Sequence, residues 1–148
     1  MAKVRKAKAD DMESVIRLLK TFPEGLGSTG VDWDNAHNAY PELLKGEKGL
    51  ILVIEEDDAI VGIVTLSFSF VLRFGGEYAL IEDFIIHSDY RGKGLARPLL
   101  SAAIAEAGRR GCPEVQVNGP SKEGVPVYIK NGFAEVGIQL KTKTNFTV

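Results

Sequence analysis

Apolar positions along this chain change period several times, and each change marks an element. In VRKAKADDMESVIRLLK, residues 4–20, a short strand leads into a helix whose stripe is Val15, Leu18 and Leu19, with Ile16 beside it. Asp10 is the expected cap, and Glu13 three residues later completes a capping-box pattern. Residues 21–30 hold Pro23 and three glycines and read as a mobile connection. VDWDNAHNAYPELLKGEKG, residues 31–49, predicts a second and weaker helix, capped by Asp32 and limited or kinked by Pro41.

The pattern then turns to strands. GLILVIEE (49–56) and AIVGIVTLSFSFVL (59–72) flank Asp57-Asp58, which predicts a hairpin. Gly75-Gly76 predicts a second hairpin turn into EYALIEDFIIH (77–87). A strong helix follows over Ala96–Arg110, with Leu99, Leu100, Ala103, Ile104 and Ala107 on one face, and it stops at Gly111 before Pro113. EVQVN (114–118) is a short strand, SKEGVPVYIKNG (121–132) a helix and FAEVGIQLKT (133–142) a last strand, with KTKTNFTV as a solvated strand end. The order β-α-α-β-β-β-α-β-α-β predicts an α/β (α+β) fold with a mixed sheet and helices on both faces.

Composition narrows the setting. With 148 residues the chain fits one domain, 1–148, and 45% hydrophobic with 26% charged residues is ordinary globular usage. A net charge of -2 gives no global attraction to nucleic acid, so any anion site is local. The single cysteine, Cys112, rules out an intrachain disulfide framework and a Cys-rich zinc site, and no metal is expected. The N-terminal MAKVRKAKADD has no apolar core of a secretory signal, and no apolar run approaches the ~20 residues that span a bilayer. The expected setting is soluble and cytoplasmic, with no membrane partner.

The candidate chemistry starts at DYRGKGLARPL, residues 89–99. It lies between a strand and a helix N-terminus, where unpaired N–H groups and a partial positive charge favour anions. Gly92 and Gly94 admit close backbone approach, Arg91, Lys93 and Arg97 add cationic donors, and Pro98 suits a first helical turn. The stretch matches neither the P-loop nor the GxGxxG dinucleotide pattern. Alone, RGKG fits a basic surface turn as well as a phosphate site.

Spacing decides between them. Arg91-x-x-Gly94-x-Ala96, after a strand and before an apolar helix, resembles the [R/Q]-x-x-G-x-[G/A] signature of the GCN5-related N-acetyltransferases (GNAT), and YIKNGF (128–133) resembles that family's Y-x-K-x-G-F. The first strand and helix also match, so the resemblance covers nearly the whole chain. It implies a GNAT fold, a mostly antiparallel sheet of six to seven strands, and acetyl-coenzyme A (acetyl-CoA) as cosubstrate. The pyrophosphate would then lie on Arg91, Gly92, Lys93, Gly94, Leu95, Ala96 and Arg97.

The resemblance also assigns the preceding strand, whose IED triplet is most similar to the corresponding stretch of diamine and glucosamine-6-phosphate acetyltransferases. Strict alternation places Glu82 with Phe84 and Ile86, and Ile81, Asp83 and Ile85 on the other face. By resemblance Glu82 is the base that takes a proton from the acceptor amine, directly or through water; a salt-bridged sheet residue is the alternative. Asp83 is a structural carboxylate or a partner of the substrate ammonium. Backbone groups of Phe84, Ile85 and Ile86 would line the cofactor arm, with the N–H near Phe84 polarising the acetyl carbonyl.

Tyr128 matches the tyrosine that protonates the departing thiolate, and Asn118 would bond the pantetheine amides or cap the next helix. Here the stretch GPSKEGVPVYIKNGF departs from the family pattern: Gly124 and Pro126 push the helix start to about Val125, and Val127 replaces an aromatic. Trp33 and His37, with Tyr40 on one side of the second helix, are weak substrate-pocket candidates or simply core. The implied activity is acetyl transfer to a small-molecule primary amine, such as a polyamine or amino sugar. A protein or peptide amine, or a non-catalytic acyl-CoA sensor, are the alternatives, and a homodimer is a further implication of the resemblance.

Overall fold

The computed structural model describes residues 1–22 and 31–144. Five strands among them form one sheet in the order β1-β2-β3-β4-β5: β1 Lys3–Lys6, β2 Gly49–Glu56, β3 Ala59–Val71, β4 Gly76–Ile86 and β5 Val115–Val117. All neighbours pair antiparallel except β4 and β5, which are parallel. Four α-helices flank it, α1 Met12–Leu19, α2 Trp33–Leu44, α3 Ala96–Arg109 and α4 Val125–Lys130. No helix among the described residues is long and apolar enough to cross a membrane.

Period-two alternation in the strands explains why helices cover both faces. Leu52, Ile54, Val64 and Leu66 point to one side and pack with Leu99, Leu100 and Ala103 of α3 and Tyr128 of α4. Ile51, Val53 and Ile63 point to the other and pack with Val15 and Leu18 of α1 and Tyr40 of α2. The sheet is therefore a septum between two apolar cores.

Turn chemistry follows the sequence closely at the first hairpin. Asp57 and Asp58 both take positive φ, 54° and 60°, as a tight two-residue hairpin requires. Entry to α1 differs from expectation. The chain makes a 3-10 turn over Ala9–Asp11, and Asp11 rather than Asp10 accepts the Lys8 N–H at 2.7 Å. Arg5 holds Asp11 in place, and this pairing keeps the Asp11 carboxyl below its usual range. Asp32 does cap α2, accepting from the Asn35 N–H at 3.0 Å, and Pro41 lies inside α2, which runs on to Leu44.

The expected last strand is the main departure. Residues 133–143 form no strand, and Val136, Ile138 and Leu140 are 93%, 87% and 85% exposed. Alternation is present there, but no described strand pairs with it, and pattern alone does not supply a partner. The connection at Pro23–Gly30 and the tail beyond Thr144 lie outside the described residues.

One backbone contact is tight where β2 starts, near α2. A Cβ on Gly49 would come within 2.1 Å of the Leu66 carbonyl oxygen. That neighbour is backbone and cannot swing aside. Gly49→Ala is therefore expected to lower stability by about 1–3 kcal/mol, read as a lower urea midpoint.

Candidate active site

The decisive irregularity is a β-bulge in β4. Thr65 pairs with Asp83 and Leu66 with Ile81, so Glu82 is an extra residue with no opposite number on β3. A bulge flips the alternation on one side of itself. The Ala79 N–H reaches the Glu114 carbonyl just ahead of β5, whereas the His87 N–H reaches Val61 on β3. Positions 79 and 87 share parity, so the strand has shifted by one residue between them. Counting back from His87, the backbone groups of Asp83 and Ile85 face β3, and those of Phe84 and Ile86 face the opposite way.

Among the described residues, no strand covers that opposite side beyond Ile81. β5 pairs with β4 only at Ala79, Leu80 and Ile81, and the parallel ladder ends there. Phe84 and Ile86 thus turn their backbone groups to an edge that no described strand covers. Ile85 does not share this placement. Its backbone faces β3 and its side chain is buried with Val15 and Leu18.

The bulge also rearranges the side chains. Strict alternation would have put Glu82 with Phe84 and Ile86. Instead Ile81, Phe84 and Ile86 pack on the α3 side, while Ile85 packs on the α1–α2 side. Thr65 Oγ1 donates to Asp83 Oδ2 at 2.6 Å, and Ser67 Oγ donates to Glu82 Oε2 at 2.5 Å. Thr65 and Ser67 are two apart on β3 and share its α1–α2 face, so the two consecutive carboxylates turn to one face. Their surroundings differ. Glu82 is exposed, whereas burial raises the Asp83 pKa above the ordinary carboxylate range, with the Thr65 hydrogen bond opposing and the Glu82 charge adding to the rise.

Tyr128 sits on the other side of β4. Its helix starts at Val125 with Pro126 in the first turn, the late start expected from Gly124 and Pro126. The ring, 7% exposed, lies 5.7 Å from Phe84 and 5.3 Å edge-on from Phe133. Aromatic contacts on both sides fix its position despite the short helix. Burial pushes its pKa up to about 12, with the Asp83 charge a smaller contribution. The phenol therefore holds its proton across the neutral range.

Between Ile86 and α3 the chain makes a 3-10 turn, Ser88–Tyr90, then the glycine turn. Gly92 and Gly94 have φ of 73° and 79°, and a Cβ on either would meet nothing within 4 Å. The glycines are needed for conformation, not for lack of space. Leu95 is buried in the α3 core, and Ala96 opens a helix whose N-terminus has no side-chain cap. Its first N–H groups are left for an external acceptor. Arg91 bends back so that Nε donates to the Ile86 carbonyl at 2.9 Å, tying the loop to the open edge. Lys93 lies over the Tyr90 ring at 5.0 Å, and Arg97 is exposed. Asn118 is exposed immediately after β5, beside the point where the ladder ends.

The substrate candidates on α2 are placed differently. His37 lies 3.2 Å from Glu13 of α1, with its Nδ1 3.0 Å from the Trp33 carbonyl, and Lys20 sits over the Trp33 ring at 5.9 Å. Tyr40 is core, its hydroxyl donating to the Lys8 carbonyl. These contacts tie α1 to α2 and do not reach the β4 carboxylates. Thr65 and Ser67 were not anticipated. Their signal in the sequence was the alternation of hydroxyls in Thr65-Leu-Ser67-Phe-Ser69 on the strand beside the carboxylates.

Residues 12–133 match the acetyltransferase (GNAT) family. The chain belongs to the GNAT family of acetyltransferases. Among curated proteins, glucosamine 6-phosphate N-acetyltransferase 1 of Oryza sativa subsp. japonica is 30% identical over 99 residues, 64% of this chain and 59% of that protein. Among solved structures, glucosamine-6-phosphate N-acetyltransferase from Arabidopsis thaliana superposes with a TM-score of 0.79 at 25% identity, covering 98% of this chain and 99% of the other. A predicted acetyltransferase from Clostridium acetobutylicum, solved with acetyl-CoA, gives a TM-score of 0.82 at 23% identity, covering 97% of this chain and 96% of the other. The GNAT fold expected from the two motifs is thus present, with five strands rather than six or seven among the described residues.

Proposed function

We propose that this GNAT domain moves an acetyl group from acetyl-CoA directly to the primary amine of a small molecule, within a ternary complex. The observation that carries the reading is the bulge at Glu82. One extra residue turns the Phe84 and Ile86 backbone to the open edge and sends the Glu82 carboxylate to the α1–α2 face. Acetyl donor and acceptor would approach one strand from two sides.

The residues divide the chemistry between them. An acceptor amine with a pKa near ~10.4 is protonated at neutral pH, and Glu82 takes its proton, directly or through water. The freed lone pair attacks the thioester carbonyl carbon, whose oxygen is stabilised by the Phe84 N–H. As the carbon–sulfur bond breaks, the Tyr128 hydroxyl donates to the departing thiolate. Because burial holds Tyr128 near 12, well above a thiol at ~8.5, it hydrogen-bonds the thiolate and keeps its own proton, and the second proton of the acylated nitrogen passes to solvent as the thiolate leaves. Tyr128→Phe should lower kcat roughly tenfold to 100-fold while leaving acetyl-CoA affinity close to wild type. Residues 91–97 supply the pyrophosphate cradle through the uncapped α3 N-terminus, the two positive-φ glycines and nearby cations.

The curated relative's name makes an amino sugar phosphate the first acceptor to try, with spermidine, an aminoglycoside and a lysine peptide as the comparison panel. Initial rates with both substrates varied should give intersecting lines. Parallel lines, the pattern of an acetyl-enzyme, would overturn direct transfer. A homodimer is part of the same reading, supported by the exposed apolar row Val136, Ile138 and Leu140. Light scattering should show a dimer that becomes monomeric when all three are changed to Thr.

A further inference from the structure

The two β3 hydroxyls meet the two bulge carboxylates one for one, and the two pairs sit in different surroundings. Thr65 is 5% exposed and satisfies a half-buried carboxylate whose pKa burial already raises, a structural task. Ser67 is only half-buried and its partner Glu82 is exposed, so neither needs the other for solvation. We infer that Ser67 is a positioning residue for acetyl transfer, holding the Glu82 carboxylate in the rotamer from which it takes the acceptor proton. This rests on the reading of Glu82 as the base.

The geometry gives Ser67 that part. A glutamate has three side-chain torsions, and an exposed one samples many rotamers unless something holds its end. The bulge removes the directly opposite residue that would normally constrain Glu82. Ser67 pairs with Leu80, which makes it the diagonal neighbour two positions along, within reach of a long side chain. Its hydroxyl donates to one oxygen, Oε2, and leaves Oε1 to meet the amine or a relaying water. Serine is short enough to do this without filling the space on the acceptor face.

The test is a double-mutant cycle of Ser67→Ala and Glu82→Gln, with Ser67→Thr alongside, assayed with acetyl-CoA and the fastest acceptor of the panel above. Ser67→Ala should lower kcat roughly three- to tenfold, the value of one net hydrogen bond, with the KM for acetyl-CoA and the urea midpoint near wild type. Ser67→Thr, which keeps the hydroxyl, should recover most of the loss. In the Glu82→Gln background Ser67→Ala should cost nothing further. Two results would overturn the inference while leaving Glu82 as base: Ser67→Ala with wild-type kcat, or an equal loss in both backgrounds. A Glu82→Gln enzyme with wild-type kcat would overturn the base assignment itself, and the inference with it.

Discussion

Glu82→Gln is expected to lower kcat by roughly 10²- to 10⁴-fold, the usual worth of a positioned general base. Glutamine keeps the size of the side chain and an oxygen to accept from Ser67 Oγ, so the bulge and its hydrogen bond survive. What it loses is the capacity to take a proton. Acetyl-CoA affinity should stay within about twofold, because the cradle proposed for residues 91–97 does not include Glu82. The comparison therefore separates chemistry from binding: kcat collapses and the dissociation constant does not. Asp83 is no substitute. It is half-buried and bonded to Thr65, and although burial raises its pKa, it lacks the exposed position Glu82 occupies.

Gly94→Asp should have the second large effect, on binding. Gly94 has φ of 79°, a conformation that costs an L-residue about 1–2 kcal/mol, enough for roughly tenfold. The introduced carboxylate then faces the same anion that the α3 N-terminus attracts, and like charges at that distance add to the loss. Together they should weaken acetyl-CoA binding about 100-fold or more by calorimetric titration. Gly94→Ala, which keeps the strain and omits the charge, should weaken it by about tenfold. Both proteins should fold, since a Cβ at Gly94 meets nothing within 4 Å. Unchanged affinity in Gly94→Asp would remove this turn as the cradle.

Much of this arrangement was legible in the amino-acid sequence because local chemistry specified it. Asp57-Asp58 between two apolar runs announced the first hairpin, and the run through Gly92, Gly94 and Ala96 announced a strand–glycine turn–helix passage. Pro126 announced the late start of α4 and so the position of Tyr128. The bulge was not legible. IEDFII places two carboxylates side by side, and a bulge is a relation between two strands; only the pairing of Asp83 with Thr65 and of Ile81 with Leu66 reveals it. For the same reason Ile85 looked like a cofactor contact although its backbone turns to β3. FAEVGIQLKT failed in the opposite sense: its alternation is genuine, but no described strand lies beside it. Trp33 and His37 read equally well as pocket or as packing, and their contacts with Lys20 and Glu13 tie the two helices together.

The central claim is transfer of acetyl to a small-molecule amine through Glu82. Release of coenzyme A thiol from acetyl-CoA, followed with and without each amine of the panel, tests it most directly. Thiol release should depend on a small primary amine, match the N-acetylated product mole for mole, and fall by at least about 100-fold in Glu82→Gln. Tight acetyl-CoA binding with no amine-dependent release from any small acceptor, or equal release by the Glu82→Gln protein, would contradict the account.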